Sequence, residues 1–565
     1  MWEHPGVSVP NSEGSWSQRL PLLVRIVSHF TVWASVLVAT VVELSKGWIA
    51  AGDDAAIAIR SYQSLSSHPP WVGVYSTAGG LGHSLYDPGP LMFWLLAIPV
   101  HIDPSHGAHW GAALLWGAAL SLAVEALWTT RLWLGCAVIA FVVVDLLWLT
   151  PSIFENLVWN AYFPVPFLVA TIALAWVVGT GSFGWWPPLV FVASVASQSH
   201  LTFVIPCVLL TLLAPVIGVV VSGGPVRLRW FPVGLGVALV CWLAPLLQNT
   251  GSNGNLSALL HSNSGQKVMG LTFALQVVAA TAAPFPIWLT QEPLAFFPVA
   301  VFIGKNSAIY GFSILVIVAI IAAVAYRTGR RALCALSTVC MISLVAVTMT
   351  FAIFPGKNAI SIDYLIVCLW VVGTMLWSVV IWSAAAAVAA IVRRQRELWS
   401  PGFDTATPLG AALATGHLRE LQRSMGWSTL LAILVIAPIV VVGLAGGRNM
   451  VGFEPTDFNS GWTPFQAATV GRVATQIERT VPRGPLVYTI KWHPTGSLID
   501  LWIAESVAWR LEADGWQPGL YSYGGRFTGL TPTRNSAYVV VKVHGNSVSA
   551  VRAPCRSPIS GCPGR

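Results

Sequence analysis

Two adjacent carboxylates follow the first long apolar run of the chain. Asp53 and Asp54 stand in the segment Gly52-Asp53-Asp54-Ala55, in a sequence of 565 residues that has only 22 Asp and Glu. Adjacent carboxylates raise each other's proton affinity, which suits a general base. Asp also favours helix N-caps, so a solvated loop or a helix N-terminus is the alternative interpretation. The pair is the first candidate for acid–base chemistry.

Other polar residues stand near this pair or at the ends of later apolar runs. They offer cations, amides and aromatic rings that suit an anionic or sugar-like ligand, and they are Arg60, His83, Tyr86, Asp87, Trp159, Asn160, Gln198, His200 and Lys267. Each also has a structural interpretation. Trp beside Asn is typical of an aromatic belt with a capping amide, and a lone His is often a packing residue.

The composition requires a membrane to position these residues. Hydrophobic residues make up 55% of the chain and charged residues 9%, whereas a soluble protein has about 25% charged residues. The mean hydropathy is +0.70. These values exclude a cytosolic enzyme, a disordered protein and a nucleic-acid-binding protein, despite the formal net charge of +8.

The apolar runs predict a polytopic α-helical membrane protein. A span needs about 20 mostly apolar residues, and eleven runs qualify: Leu20–Val42, Gly107–Trp128, Leu132–Leu149, Phe163–Val178, Trp186–Val195, Leu201–Val221, Phe231–Leu247, Ile309–Tyr326, Ala332–Phe351, Tyr364–Trp382 and Ser428–Leu444. The proline-rich stretch Met269–Ile303 is either one more hairpin, which gives thirteen spans, or an interfacial pair. Leu91–Val100 is too short to span and predicts an interfacial or re-entrant helix at the outer face.

Basic residues predict the orientation in the cell inner (plasma) membrane. They fall in alternate loops, which are then cytoplasmic: Arg131, Arg227, Arg229, Arg327, Arg330, Arg331, Arg393, Arg394, Arg396, Arg419 and Arg423. The N-terminus is then cytoplasmic and the C-terminus extracytoplasmic. No cleavable signal is expected, because Met1–Arg19 lacks a basic start and an apolar core.

The return of charged residues near Gly447 predicts two domains. Residues 1–446 form the membrane module, with an outer loop over 43–106 that carries the Asp-Asp motif. Residues 447–565 read as a small α/β domain outside the membrane, with strands at Pro485–Ile490 and Ala537–Val543 and helices at Ala468–Thr480 and Ser497–Asp514. In its tail, Cys555 and Cys562 either form a disulfide or remain free thiols.

No cofactor motif is present. The sequence has no P-loop, no dinucleotide fingerprint and no HExxH, and the histidines near Asp103 match no standard zinc spacing. We therefore expect no cofactor, and a divalent metal has no support.

Five motifs in order resemble the GT-C superfamily of membrane glycosyltransferases, and more closely an actinobacterial, mycobacterial-type branch of it. They are Gly52-Asp53-Asp54-Ala55, Asp87-Pro88-Gly89-Pro90-Leu91, Trp159-Asn160-Ala161, Gln198-Ser199-His200, and Trp242-Leu243-Ala244-Pro245 leading to Gly254-Asn255-Leu256. Order and rough spacing agree over Leu20–Trp382. Asp87 stands where the family has His, Ala161 where it has Pro and Ser199 where it has Thr, so His83 is an alternative ligand contact.

The resemblance implies an enzyme that takes a sugar from a polyprenyl-phosphate donor and passes it, with inversion, to an envelope glycan or lipid acceptor at the outer face. Asp53 would be the general base, and Asp54 would tune it or orient the acceptor. Arg60, His83, His200 and Lys267 would bind the donor phosphate, and Trp159 and Asn160 the acceptor or sugar. Arabinofuranose and mannose both fit an actinobacterial cell-wall enzyme.

Two other functions fit the same residues. A transporter or flippase of lipid-linked sugars also needs polar groups among spans, but internal repeats and a mid-membrane charged site would be expected. A non-catalytic envelope assembly protein would use its outer domain for binding. The polar residues cluster at the outer surface, which favours the enzyme.

Overall fold

A computed structural model describes the chain over residues 14–76, 85–149, 153–154, 156–223, 229–251, 254–262, 267–282, 306–355, 367–399, 464–481, 488–492, 498–520, 530, 537–544 and 547–553. His83, the predicted span Ser428–Leu444, Cys555 and Cys562 lie outside these residues. So does the second half of the proline-rich stretch, whose first half forms a helix.

The membrane module is helical. Its helices are α1 (Gly14–Ser45), α2 (Asp53–Gln63), α3 (Leu91–Ile102), α4 (Gly107–Thr129), α5 (Trp133–Leu149), α6 (Val165–Gly179), α7 (Trp186–Ser199), α8 (Val204–Ser222), α9 (Trp230–Asn249), α10 (Asn255–His261), α11 (Gly270–Ala282), α12 (Ala308–Arg327), α13 (Arg331–Ala352) and α14 (Cys368–Trp399). Ten of them coincide with predicted spans. Seven of the described helices are long and apolar enough to cross a membrane, so the polytopic helical fold is confirmed.

Helix α6 forms the centre of the bundle. All 15 of its residues are buried, and it packs against α4, α7, α8 and α13. A helix that is apolar on every side is stable only where other helices surround it. By contrast, α9 and α12 expose large apolar side chains such as Val240 and Ile309, which suits contact with lipid.

Short elements cover one end of the bundle. The two-stranded antiparallel ladder of β1 (Tyr75–Ser76) and β2 (Leu85–Tyr86) leads into α3, and α3 packs between α2 and α4. Trp94, Ile98 and Ile102 are exposed on α3. Their spacing of four residues makes one apolar stripe, as the predicted interfacial helix requires.

The C-terminal part folds as an α/β unit, as predicted. Helices α15 (Pro464–Thr480) and α16 (Leu498–Ala513) pack against each other, and strands β3 (Tyr488–Trp492), β4 (Pro518–Leu520), β5 (Ala537–His544) and β6 (Ser547–Ala553) form a sheet in the order β4-β3-β5-β6. Strand β3 runs parallel to β4 and β5, and β6 pairs antiparallel with β5. The predicted strand at Pro485–Ile490 overlaps β3, which the structure describes over Tyr488–Trp492.

Candidate active site

Asp53 and Asp54 occupy the first turn of α2. Gly52 precedes them with φ 52° and ψ −123°, a conformation that glycine adopts readily because it has no Cβ. The Asp54 amide donates to the Ala51 carbonyl at 2.9 Å. Both side chains are only partly buried, and the positive end of the helix dipole favours an anion there.

Two consecutive residues of the loop before α6 donate to two different carboxylates. Trp159 Nε1 donates to Asp53 Oδ2 at 2.6 Å, and Asn160 Nδ2 donates to Asp87 Oδ2 at 2.9 Å. The Trp159 ring also packs edge-on against Tyr162, with 5.0 Å between ring centroids. This loop therefore holds Asp53 and Asp87 in one site, although the two acids are far apart in the sequence.

Asp87 is almost fully buried, with 2% of its surface exposed. Its backbone pairs with the segment before β1: its amide donates to the Val74 carbonyl at 2.7 Å, and its carbonyl accepts from Gly73 at 3.0 Å. Its carboxylate accepts further from the Leu201 amide. Asp87 is thus fixed on both its backbone and its side chain, which gives it little freedom to follow a ligand.

Two buried amides hold the turn that contains Asp87. Asn255 Nδ2 donates to the Tyr86 carbonyl at 3.0 Å, and the Tyr86 amide donates back to Asn255 Oδ1 at 3.0 Å. Gln198 Nε2 donates to the Cys241 carbonyl at 2.7 Å, and its Oε1 lies so close to Gly89 that a Cβ there would clash. Gln198 and Asn255 therefore position the turn.

Arg60 lies on α2 on the same side as the acids. Its guanidinium sits 5.9 Å from the centroid of the Phe93 ring, close enough for a cation–π interaction. Burial lowers the pKa of Arg60, and the neighbouring Tyr86 and Glu512 oppose that shift. An Arg side chain stays protonated in proteins, so Arg60 brings a cation to the site.

Helix α16 adds two acids that the sequence analysis did not identify. Glu505 is 1% exposed and interacts electrostatically with Asp53. Glu512 accepts a hydrogen bond from the Gln63 side chain and faces Arg60. The sequence held no signal for either, because both belong to a different predicted domain from Asp53.

Burial raises the pKa of every acid in this cluster. The pKa of Asp53 rises to about 6, and the hydrogen bond from Trp159 limits the rise. The pKa values of Asp54, Asp87 and Glu505 rise well above their usual range, and in each case the charge of Asp53 adds to the effect of burial. Burial and the charge of Asp53 thus both favour the protonated forms of Asp54, Asp87 and Glu505.

The remaining predicted cations differ in their surroundings. His200 accepts a hydrogen bond from the Thr202 amide, and burial lowers its pKa to about 4, so the ring is neutral near pH 7. Lys267 is exposed, and within the described chain it makes no hydrogen bond or ion pair with the acids. Among the cations proposed for the phosphate, Arg60 alone interacts with an acid of the site, Glu512, in the part of the chain that the structure describes.

The described residues contain no group of three or more His, Cys, Asp or Glu side chains arranged to hold a metal ion. The acids accept hydrogen bonds from an indole, a side-chain amide and a backbone amide, and these donors satisfy carboxylate oxygens without a metal ion. The site described so far is suited to proton transfer.

Comparison with known proteins gives remote matches. No protein family model matches the chain, and no curated protein matches it. The chain is similar to the crystal structure of ArnT from Cupriavidus metallidurans bound to undecaprenyl phosphate, with 14% identity, 94% of this chain and 93% of that chain covered, and a TM-score of 0.44. It is also similar to an Archaeoglobus fulgidus oligosaccharyltransferase tethered to an acceptor peptide, with 13% identity, 86% and 64% covered, and a TM-score of 0.33. At these values the likenesses establish neither a family nor an activity.

Proposed function

We propose that the chain is an integral membrane glycosyltransferase with Asp53 as its general base. It transfers a sugar of the arabinofuranose or mannose class from a polyprenyl-phosphate donor to a cell-envelope glycan or lipid acceptor at the outer face. The observation that carries this proposal is the position of Asp53, which begins α2, is partly exposed and accepts a hydrogen bond from Trp159 Nε1 at 2.6 Å.

The raised pKa of Asp53 suits this residue to general-base catalysis. A base works best when its pKa lies near the operating pH, because it is then both ionised and a strong proton acceptor. A pKa of about 6 meets both conditions near pH 7. The partly exposed carboxylate also gives an incoming hydroxyl access to Asp53, which the buried Asp87 does not offer.

The reaction follows from this role. The acceptor hydroxyl attacks the anomeric carbon, and its proton passes to Asp53. The bond between the anomeric carbon and the phosphate oxygen breaks, and polyprenyl phosphate leaves with the electron pair. Because attack and departure occur on opposite faces of the sugar, the configuration inverts.

The surrounding groups divide into two sets. The raised pKa of Asp54 favours its protonated form, which can donate a hydrogen bond that orients the acceptor hydroxyl. Arg60 is the cation for the donor phosphate, where negative charge builds as the sugar leaves, and His83 and Lys267 remain candidates for the same role. Trp159 offers a partly exposed ring to the sugar.

Two features weigh against a transporter or a passive assembly protein. Asp53, Asp54 and Asp87 lie where helices begin, at the start of α2 and shortly before α3, whereas transporters place their charged sites at mid-membrane. The partial exposure of Asp53 and Asp54 weighs against a non-catalytic protein, in which these acids would be sealed.

The test is sugar transfer by the purified full-length protein in lipid nanodiscs. It is incubated with a panel of polyprenyl-phosphate sugars and envelope glycan or glycolipid acceptors, and products are identified by mass spectrometry. Asp53→Asn should abolish transfer. Asp514→Asn is the matched control, because Asp514 is an exposed acid paired with Arg510 beyond the far end of α16.

Transfer with one donor that survives Asp514→Asn and disappears with Asp53→Asn supports the proposal. Retained turnover in Asp53→Asn would refute the general-base role. Absence of transfer with every donor, combined with movement of an intact lipid-linked sugar across the bilayer, would favour the flippase instead.

A further inference from the structure

Helix α16 of the C-terminal unit lies directly against α2, the helix that begins with Asp53. The Trp509 ring meets the Tyr62 ring edge-on, with 5.9 Å between centroids. Tyr62 also stacks on His101 of α3, with 4.3 Å between centroids and 6° between planes. Aromatic rings in these geometries attract each other beyond their burial.

The residues that face α2 share one side of α16. Glu505, Trp509 and Glu512 are spaced by four and three residues, so they lie along one face of the helix. Trp509 is 5% exposed and belongs to the apolar core of the membrane module rather than to that of its own unit. Conversely, Ile49 of the membrane module packs against the apolar core of the C-terminal unit. The apolar cores of the two units therefore contact each other beside Asp53.

The polar groups of this face meet the polar groups of α2. Glu505 meets the charge of Asp53, and Glu512 meets Gln63 and Arg60. Glu512 Oε2 is buried and has no hydrogen-bond partner within the described chain. Burying acids in a contact between two domains is costly unless they are protonated, hydrogen-bonded or paired with a cation.

We propose that the C-terminal domain is a structural part of the site: one face of α16 docks on α2, adds Glu505 to the carboxylate cluster of Asp53 and pairs Glu512 with Arg60. Glu505 and Glu512 are positioning residues that set the charge around Asp53 and Arg60. The docking itself is independent of the reaction, and its consequence for turnover rests on the glycosyltransferase function proposed above.

The docking is tested by chemical crosslinking of the full-length protein in nanodiscs, in a background with Cys555→Ser and Cys562→Ser. Gln63→Cys with Glu512→Cys should crosslink with a short bis-maleimide and give a joined peptide in mass spectrometry. Gln63→Cys with Arg510→Cys is the control, because Arg510 is exposed on another face of α16. Equal crosslinking of both pairs, or none of the first, would refute the docking.

The contribution of Glu505 is tested by infrared spectroscopy of the reconstituted protein. Because burial and the charge of Asp53 raise the pKa of Glu505, Glu505→Gln should remove the carbonyl band of a protonated carboxylic acid, whereas Glu478→Gln on α15 should leave that band in place. In Asp53→Asn the Glu505 band should remain and titrate at lower pH, since the neighbouring charge is gone. An unchanged band in Glu505→Gln, or an unchanged titration in Asp53→Asn, would overturn the assignment.

Turnover separates this inference from the proposed function. Trp509→Ala, which removes the ring between the two helices, should lower transfer at least tenfold and weaken the crosslink between the cysteines introduced at positions 63 and 512. If Asp53→Asn is inactive but the crosslink between positions 63 and 512 and the Glu505 carbonyl band are both absent, the docking inference alone fails. If crosslink and band are present but Asp53→Asn stays active, the glycosyltransferase proposal alone fails.

Discussion

Two clusters of charged residues differ in whether their acids are paired with cations. In the first, Glu125 on α4 accepts two hydrogen bonds from Arg25 on α1, at 2.7 and 2.8 Å, and lies 2.6 Å from His29 Nε2. In the second, Asp54, Asp87 and Glu505 each interact electrostatically with Asp53, and Arg60 on α2 interacts with Glu512. Among the described residues, one cluster pairs its charges and the other has more acids than cations.

This difference in pairing indicates that the first cluster has a structural role and the second a catalytic role. A bidentate Arg–carboxylate pair fixes the geometry of two helices, so the Arg25–Glu125 pair ties α1 to α4. Crowded acids compete for protons, which destabilises the fold but gives one of them a pKa suited to catalysis. The following predictions separate these two uses, from the largest expected effect to the smallest.

Asp53→Asn should lower turnover by about 10²–10⁴-fold, the usual contribution of a general base. It should not lower thermal stability. The pKa of Asp53 is raised to about 6 in the folded protein. Ionisation of Asp53 therefore lowers the free energy of unfolding as the pH rises through about 6. Initial rates and thermal unfolding in nanodiscs measure both. A large loss of thermal stability in Asp53→Asn would instead indicate a structural role for Asp53, like that of the Arg25–Glu125 pair.

The wild-type rate should fall as the pH drops through about 6, and Trp159→Phe should move this fall to higher pH. The Trp159 indole donates to ionised Asp53, so its loss raises the pKa of Asp53. A hydrogen bond to a charged group is worth about 1.5–3 kcal/mol, which corresponds to a shift of about one pH unit or more.

A pH–rate profile measures this shift. Trp94→Phe is the matched control, because Trp94 is exposed on α3. A shift to lower pH in Trp159→Phe, or the same shift in both variants, would refute the role of the indole.

Glu125→Gln should destabilise the fold by about 1–2 kcal/mol, because it leaves Arg25 and His29 without their carboxylate. The expected loss is at the low end of the range for hydrogen bonds to charged groups, because these side chains are about one third exposed. Turnover per folded molecule should stay within about twofold. Thermal unfolding beside rate measurements tests this, and a loss of turnover without a loss of stability would contradict the structural use of the pair.

Arg510→Ala should have the smallest effect. The pair with Asp514 is exposed on both sides, at 59% and 41%, and such ion pairs contribute about 0–1 kcal/mol. Turnover should be unchanged, because Arg510 faces away from α2. An effect as large as that of Trp509→Ala would mean that the docking face of α16 is drawn wrongly.

The helical membrane fold was predictable because its signal is local. Runs of about 20 apolar residues fix a span wherever it lies in the chain, and ten of the predicted runs form helices. The interfacial helix after Asp87 and the two helices of the C-terminal unit were predictable for the same reason. The short strands β4 and β6 were not, since their sequences carry little alternation of apolar and polar residues.

The sequence by itself determined that two adjacent carboxylates, Asp53 and Asp54, follow the first span of a chain that has only 22 Asp and Glu. The tertiary structure decided which acids meet. It brought Asp87 to Asp53 through two consecutive donors, Trp159 and Asn160, and it added Glu505 from another predicted domain. The physical reason is that a pKa depends on burial and on neighbouring charges, and long-range packing alone sets both.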